Sequence, residues 1–431
     1  MPERSLITAE SVAVPTTQAV LPQPVRAAII QANNDQSDPL SLFVYDLTAL
    51  ERHIKAVMAQ LPDGVELFYA IKANSEPEIL NTLAPWVNGF EISSGGEIGS
   101  LAQCHTRLPF VFSGPGKLDS ELEAALQHDV AAVHVESLSE IVRLQQQARY
   151  LGRVQPVFIR INPSLPVELT SRLTMAGRAT PFGMDESELA QAVAAVDQAS
   201  HLQLQGFHVH AMSHQKVLAR HQQLLDFYLQ RWPQWRALAA EPDQVTHLNV
   251  GGGIGVNYTS DEQFDWSGFC LWLKERLDNM DQRPVLRFEP GRFITAFCGY
   301  YVMQVLDKKV SHGEHFLICR GGTHQFRLPA AQSHDHPVIH WPKPLQGGQP
   351  VSQINEESSQ RWTLVGQLCT PKDILSRQCM LQEVAVDDLL ILPLAGAYGY
   401  NISHADFLCH PRPQQRYVMA EQGLKETVTC D

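Results

Sequence analysis

Several things are scarce in this 431-residue chain. Basic residues are outnumbered, 33 Lys and Arg against 46 Asp and Glu, which leaves a formal net charge of −13. That balance argues against the basic face of a nucleic-acid binder and the polybasic patch of a membrane anchor. Long apolar runs are missing. The most apolar late stretch, Leu389 to Ala397, contains Pro393 and is far too short to cross a bilayer. The opening Met1-Pro2-Glu3-Arg4 has no basic segment leading into an apolar core, so no cleaved secretory signal is expected and the cytoplasm is the expected location. The eight cysteines (Cys104, Cys270, Cys298, Cys319, Cys369, Cys379, Cys409, Cys430) never form a C-x-x-C pair. They read as buried or reactive thiols, not as a disulfide framework or a zinc site, and no metal is expected. No G-x-G-x-x-G opens an N-terminal βαβ unit, so the dinucleotide fingerprint is absent too. Charged residues are 18% of the chain, below the roughly 25% of an average domain. Such a shortage fits a large core and some surface covered by a partner.

What is present is globular. Apolar residues make up 44%, and 27 Gly with 27 Pro is an ordinary share, which excludes disordered and collagen-like classes. At ~150 residues per domain the length suggests two or three domains, although one (β/α)8 barrel takes ~250 by itself. Residues 1–40 show no clear periodicity and read as an arm that packs with a later β domain. Beyond them eight β-rich runs recur: Val65–Ile71, Val87–Ile92, Pro109–Phe112, Val130–Val135, Val154–Ile161, Leu202–His210, Val245–Val250 and Pro284–Glu289. Helical patterns follow most of them, and eight βα repeats predict closure into a parallel barrel over 41–294. From 295 to 431 strand-like runs dominate, predicting a mostly antiparallel β domain, with Arg320 to Glu357 as a long loop or insertion.

The strand ends carry the chemistry, because barrel enzymes build their sites at the C-terminal face. Nearly every run exits into polar or glycine residues, which reads as one shared pocket. Lys72 ends the first run and points into the barrel mouth, where desolvation lowers a lysine pKa and favours Schiff-base chemistry. The plainer alternative is a lysine at a solvated strand end. Gly251-Gly252-Gly253 follows the seventh run, where barrels often bind phosphate, and bare backbone N–H groups suit an anion. A flexible turn is the alternative. Arg292 supplies a charge for the same phosphate. Glu289 beside it suits a pyridine nitrogen that must stay protonated, or else simply pairs with Arg292. His208 and His210 share a strand face, which fits a metal pair, a ring stacked on an aromatic cofactor, or core histidines.

These motifs together resemble the fold-type III pyridoxal 5'-phosphate (PLP) decarboxylases, the diaminopimelate, ornithine and arginine decarboxylases with an alanine racemase-like barrel. The likeness spans roughly residues 40–420. It rests on Tyr69-Ala70-Ile71-Lys72-Ala73-Asn74, Gly89-Phe90-Glu91, Arg160-Ile161-Asn162-Pro163, Gly206-Phe207-His208-Val209-His210, Gly251-Gly252-Gly253, Glu289-Pro290-Gly291-Arg292, Cys369 and Gly396-Ala397-Tyr398-Gly399. The resemblance implies an α/β fold, a TIM barrel followed by a β-sandwich or β-barrel-like domain. It implies Lys72 as the Schiff-base lysine with Glu91 near it, His210 stacked on the ring, Glu289 at the ring nitrogen and Arg160 near the ring hydroxyl. Gly251, Gly252, Gly253, Arg292, Tyr398 and Ser213 are implied to hold the phosphate. Cys369 is implied to reach a partner subunit's site and reprotonate the carbanion, in a head-to-tail homodimer with shared sites.

Three departures from the family pattern bear on substrate. His-x-Gly-Ser reads His210-Ala211-Met212-Ser213, and Lys-Phe-Gly reads Pro181-Phe182-Gly183. The acidic residue after the catalytic cysteine, which binds a distal ammonium, is Thr370, with Asp373 or Asp406 as possible substitutes. Leu368-Cys369-Thr370-Pro371, Gly321-Gly322-Thr323-His324 and His404 to Pro411 resemble a branch that decarboxylates siderophore intermediates such as citrate conjugates, or carrier-tethered amino acids. A citrate-bearing substrate calls for cations, with Arg178, His324, Arg327, Lys372 and His404 as candidates. Diaminopimelate decarboxylation is the nearest alternative. A racemase, a metal-dependent barrel hydrolase using His208 and His210, and an inactive regulatory homologue are the others.

Overall fold

The computed structural model describes residues 21–105, 107–170, 176–342 and 359–420, and the backbone of 423–425. Eight parallel strands close on themselves: Val65–Ala70, Gly89–Ile92, Phe110–Phe112, Ala132–Val135, Gln155–Asn162, Leu202–His208, His247–Asn249 and Val285–Phe288, the last pairing with the first. Each expected run is a strand, with ends shifted by up to two residues. Strands of such a barrel are buried on both faces, so they read as continuous apolar segments.

Period-two alternation then decides what fills the barrel. One layer holds Phe68, Val111, Ala132 and Phe158, a small core of its own, with the Arg287 guanidinium 4.0 Å from the Phe68 ring centre. Two residues further along the same faces come His134, Arg160, His208, Asn249 and Glu289, and this polar layer lies beneath the mouth. Between strands, the helices turn on local caps. Ser94 accepts from the Glu97 N–H and Ser137 from the Glu140 N–H, both with the S-x-x-E spacing of a capping box. Both serines follow barrel strands, and both serve as helix caps.

The second domain is a curled mixed sheet. Its spine is the strand Gly299–Ser311, which pairs antiparallel with Ser41–Asp46, with Leu389–Leu392 and with Glu314–Cys319. Gln360–Val365 continues the sheet parallel to Glu314–Cys319, and Ile374–Leu381 closes that edge. On the other side Gln414–Met419 runs parallel to Ser41–Asp46. Ser41–Asp46 therefore belongs to the second sheet and not to the barrel, because its register partners lie at 299–303 and 414–418.

The arm holds an unexpected helix, Gln23–Asn34, begun by Pro22. Val25, Ala28, Ile29 and Ala32 recur at helical spacing and bury against Leu42, Val44, Val302, Trp341 and Ile391. Twelve residues are marginal as an isolated helix, so this burial is what holds it. Within the expected 320–357 loop, Leu328–Gln332 is a helix and Ile339–Trp341 a strand; its residues 343–357 lie outside the described part.

Candidate active site

Lys72 sits in a single turn after the first barrel strand. Its Nζ donates to Oε2 of the buried Glu91 at 2.7 Å, and Ser93 donates to the other Glu91 oxygen at 3.0 Å. Burial works against the ammonium, but Glu91, then Tyr398 and Glu289, outweigh it and raise the pKa above the ordinary lysine value. The expected downward shift is thus reversed, because a carboxylate sits in contact. Asn401 of the second domain donates to the Lys72 carbonyl at 2.7 Å and fixes the turn from above.

Glu289 leaves the eighth strand only 6% exposed. Asn249 Nδ2 donates to its Oε1 at 2.6 Å, and His208 Nε2 lies 3.4 Å from Oε2. The plainer alternative, a Glu289–Arg292 pair, is not formed: Arg292 donates to the Tyr258 hydroxyl at 2.7 Å and lies over the Tyr398 ring, 4.5 Å from its centre. His208 and His210 do not share a ligand centre. Gly252 N–H donates to His210 Nδ1 at 3.1 Å, so the ring proton of neutral His210 is on Nε2. Burial, then Arg160 and Lys72, hold both imidazoles neutral well below the usual histidine range.

The glycine loop is built for close approach. Gly251 and Gly253 have φ of 66° and 93°, the left-handed region. A Cβ on Gly252 would strike the Glu289 carbonyl oxygen. The loop thus packs flush on the strand-eight exit, and two of its three N–H groups are engaged by side chains, Gly251 by Asn249 Oδ1 at 2.9 Å and Gly252 by His210 Nδ1. Ser213 lies half-buried on the turn that Gln215 ties to Gly253, whose carbonyl accepts at 2.9 Å. Tyr398 reaches over from the second domain with a left-handed φ of 52°, its N–H donating to the Ala73 carbonyl at 2.7 Å. Arg160 is paired with buried Glu136 at 2.7 Å, and Glu136 also accepts from Gly114 and Gly183.

These residues fit PLP. A lysine amine, a carboxylate whose surroundings keep it oriented, a flat imidazole and a glycine cradle with an arginine would suit the aldehyde, ring nitrogen, ring face and phosphate respectively. Tyr258 was not evident as a site residue in the sequence. Its place is set by the rings of His334, stacked at 4.8 Å, His336 and His214, and by Arg292.

Cys369 stands exposed on a loop of the second domain, and among the described residues no hydrogen bond or ion pair joins it to Lys72, His210 or Glu289. That loop is braced from beneath. Asp373, 2% exposed, accepts from Thr323 N at 2.6 Å, Thr323 Oγ1 at 2.8 Å and Leu368 N at 2.9 Å. Asp373 is therefore a loop brace and not a free distal-ammonium partner, while Asp406 is tied to Arg412 at 2.9 Å. Thr370, Lys372 and His404 do come together, with Arg327 and Arg377, around a cavity of about 810 Å3. Its lining residues carry one carboxylate, Asp335, which accepts the Arg377 N–H. Arg178 and His324 are not among them: Arg178 is exposed elsewhere and His324 is fully buried.

A family model described as the pyridoxal binding domain of pyridoxal-dependent decarboxylases matches residues 47–296. The chain is 38% identical over 394 residues to a 2-[(L-alanin-3-ylcarbamoyl)methyl]-2-hydroxybutanedioate decarboxylase of Staphylococcus aureus, covering 90% of this chain and 97% of that one. It is 32% identical over 375 residues to a diaminopimelate decarboxylase of Vibrio cholerae, covering 86% and 85%. Among solved structures, a diaminopimelate decarboxylase from Helicobacter pylori complexed with L-lysine superposes with a TM-score of 0.79 at 24% identity, covering 91% of this chain and 94% of that one. No helix among the described residues is long and apolar enough to cross a membrane.

Proposed function

The chain belongs to the pyridoxal-dependent decarboxylases, and from that premise we propose that it removes the α-carboxylate of an L-amino-acid-type siderophore intermediate, a citryl-diamino acid or similar citrate conjugate. The observation that carries the substrate reading is the second-domain cavity. Arg327, Lys372 and Arg377 line it against one carboxylate, while Asp373 is engaged inside the loop. Such a lining suits a polycarboxylate and leaves a distal ammonium without a free partner. The similarity to the Staphylococcus aureus enzyme, whose name describes a citrate-derived amino acid, supports it.

When bound, PLP supplies the sink for the electron pair of the broken Cα–carboxylate bond. Lys72 anchors it through Nζ, and Glu91 holds that amine in place. Gly251, Gly252, Gly253, Arg292, Tyr398 and Ser213 hold the phosphate. With the cofactor bound, Glu289 would hold a proton at the ring nitrogen, His210, its own proton on Nε2, would support the ring, and Arg160, fixed by Glu136, would serve the ring hydroxyl. Cys369 is too well presented on its braced, exposed loop for a structural thiol. It donates the replacing proton in the site of a second copy of the chain, which makes the working unit a homodimer with shared sites. The cytoplasm is the proposed location.

The purified protein incubated separately with a citryl-diamino acid, diaminopimelate and ornithine should release CO2 efficiently from the first alone. A high kcat/KM on diaminopimelate overturns the substrate reading. Lys72→Ala should abolish both the yellow colour of bound PLP and CO2 release; survival of both overturns the catalytic reading.

A further inference from the structure

Two buried histidines occupy a level of the barrel that branched aliphatic side chains normally fill. His134 and His208 are 0% and 1% exposed. Ser113 Oγ lies 2.7 Å from His134 Nδ1, the His134 ring stacks on Phe158, and the His208 ring lies 4.3 Å from His134, centre to centre. Above them Glu289 is held on Oε1 by Asn249, and His208 Nε2 lies 3.4 Å from Oε2. Neither nitrogen of His208, nor Nε2 of His134, has a hydrogen-bond partner among the described residues. Leaving buried nitrogens unmatched is unfavourable, so a layer serving packing alone would be better filled by leucine.

We propose that His208 is a positioning residue for Glu289: its Nε2–H closes on Oε2, opposite Asn249 on Oε1, and fixes the carboxylate in one orientation for the cofactor's ring nitrogen. His134, tethered by Ser113, is the shelf beneath the His208 ring. The contact is loose as it stands, and hydrogen bonds of this kind commonly tighten when the site is filled. A neutral donor is what the role requires, since an imidazolium would cancel the charge that Glu289 offers. Burial, then Arg160, Lys72 and Lys117, keep His208 neutral, and burial, then His208, with Arg287 and Lys117, do so for His134 against the pull of Glu289. This inference rests on the PLP reading above.

The test is titration of the apoprotein with PLP, reading the dissociation constant and the visible absorption spectrum. His208→Leu removes the donor, whereas His208→Gln keeps an amide N–H near the Nε2 position. Loss of one hydrogen bond to a charged group predicts roughly tenfold weaker PLP binding for the leucine variant and less than about threefold for glutamine. The ratio of visible bands should change in the leucine variant alone. Equal behaviour of the two variants, or no change in either, overturns the proposal. Should His208→Leu not fold, Ser113→Ala, which frees the shelf, must produce the same spectral change, and an unchanged spectrum overturns the proposal equally. In a Glu289→Gln background, His208→Leu should add nothing; full additivity refutes the link. If the unsubstituted protein fails to bind PLP, the cofactor reading itself is what falls.

Discussion

Asp373→Asn is the sharpest single test of how the Cys369 loop is held, because it changes charge and hydrogen-bond polarity at almost constant shape. In the native loop one carboxylate oxygen accepts two donors from Thr323 and the other accepts Leu368 N–H, one residue before the thiol. An asparagine keeps its oxygen on Thr323 but sets an NH2 against the Leu368 N–H, donor against donor. Turning the amide over only moves the conflict to Thr323, which has two donors. One hydrogen bond to a charged acceptor is lost and a buried N–H is orphaned, so the loss of stability should be about 2–3 kcal/mol. Urea unfolding of the apoprotein measures it. The functional signature is a split. Turnover should fall because Cys369 is no longer held, while PLP affinity stays unchanged, since Asp373 touches none of the cofactor-side residues. Stability within about 0.5 kcal/mol of the native protein, the level of an inconsequential surface change, would refute the reasoning, as would a loss of PLP affinity matching the loss of turnover.

Other outcomes follow from separate parts of the molecule. Gly252→Ala puts a methyl group onto the Glu289 carbonyl and forces the two strand exits apart. Misplacement of that order should lower kcat/KM roughly a hundredfold, and an active, PLP-saturable alanine variant argues against the cradle. Lys117→Met strips Glu140 of its partner at 2.6 Å, with side chains 1% and 3% exposed. The carbonyls of Gly114 and His134 lose the same donor. A cost of about 3–5 kcal/mol is expected in denaturant unfolding, and less than about 1 kcal/mol contradicts it. His53 and His221 are held neutral down to about pH 4 by burial, against 6.5 when unfolded. Their folded pKa values are depressed, so the unfolded chain takes up protons first and stability is lost as pH falls from 6.5 towards 4, by up to about 3 kcal/mol for each. The urea midpoint should drop between pH 7 and 4.5 and drop less in His53→Gln; a flat profile excludes the effect.

The barrel was legible because its strands are apolar on both faces and their exits carry unusual residues. Position at the strand exits singled out Lys72, Glu289 and the three glycines, each with a plainer alternative, while the roles of Glu91 and His210 came from the family resemblance. The second sheet was harder to read. Ile374–Leu381 carries Ser376, Arg377 and Gln378 in its middle and pairs through bulges, so no clean alternation marks it. Ile339–Trp341 is three residues long and is defined by its partner Leu389–Leu392. The helix Gln23–Asn34 was readable in principle from Val25, Ala28, Ile29 and Ala32, but its alanines make a weak apolar stripe. In the site, Ser113, His134 and Tyr258 become neighbours of the cofactor groups only when the barrel closes. Ser94 and Ser137, by contrast, carried a local signal, Glu97 and Glu140 three residues on, that marks them as caps.

The pairing of Ser41–Asp46 has a consequence for the order of assembly. Its strand neighbours, Gly299–Met303 and Gln414–Val418, are synthesised long after it. In connectivity the barrel is an insert between two pieces of one sheet. During synthesis the first piece must wait, with Leu42 and Val44 uncovered, while some 250 residues of barrel emerge and close. Gln414–Met419 then extends the sheet from its other side, and Tyr398 and Asn401, which lie 16 and 13 residues before Gln414, settle over Lys72 in the same late event. The cofactor pocket is thus finished only when nearly the whole chain has been made.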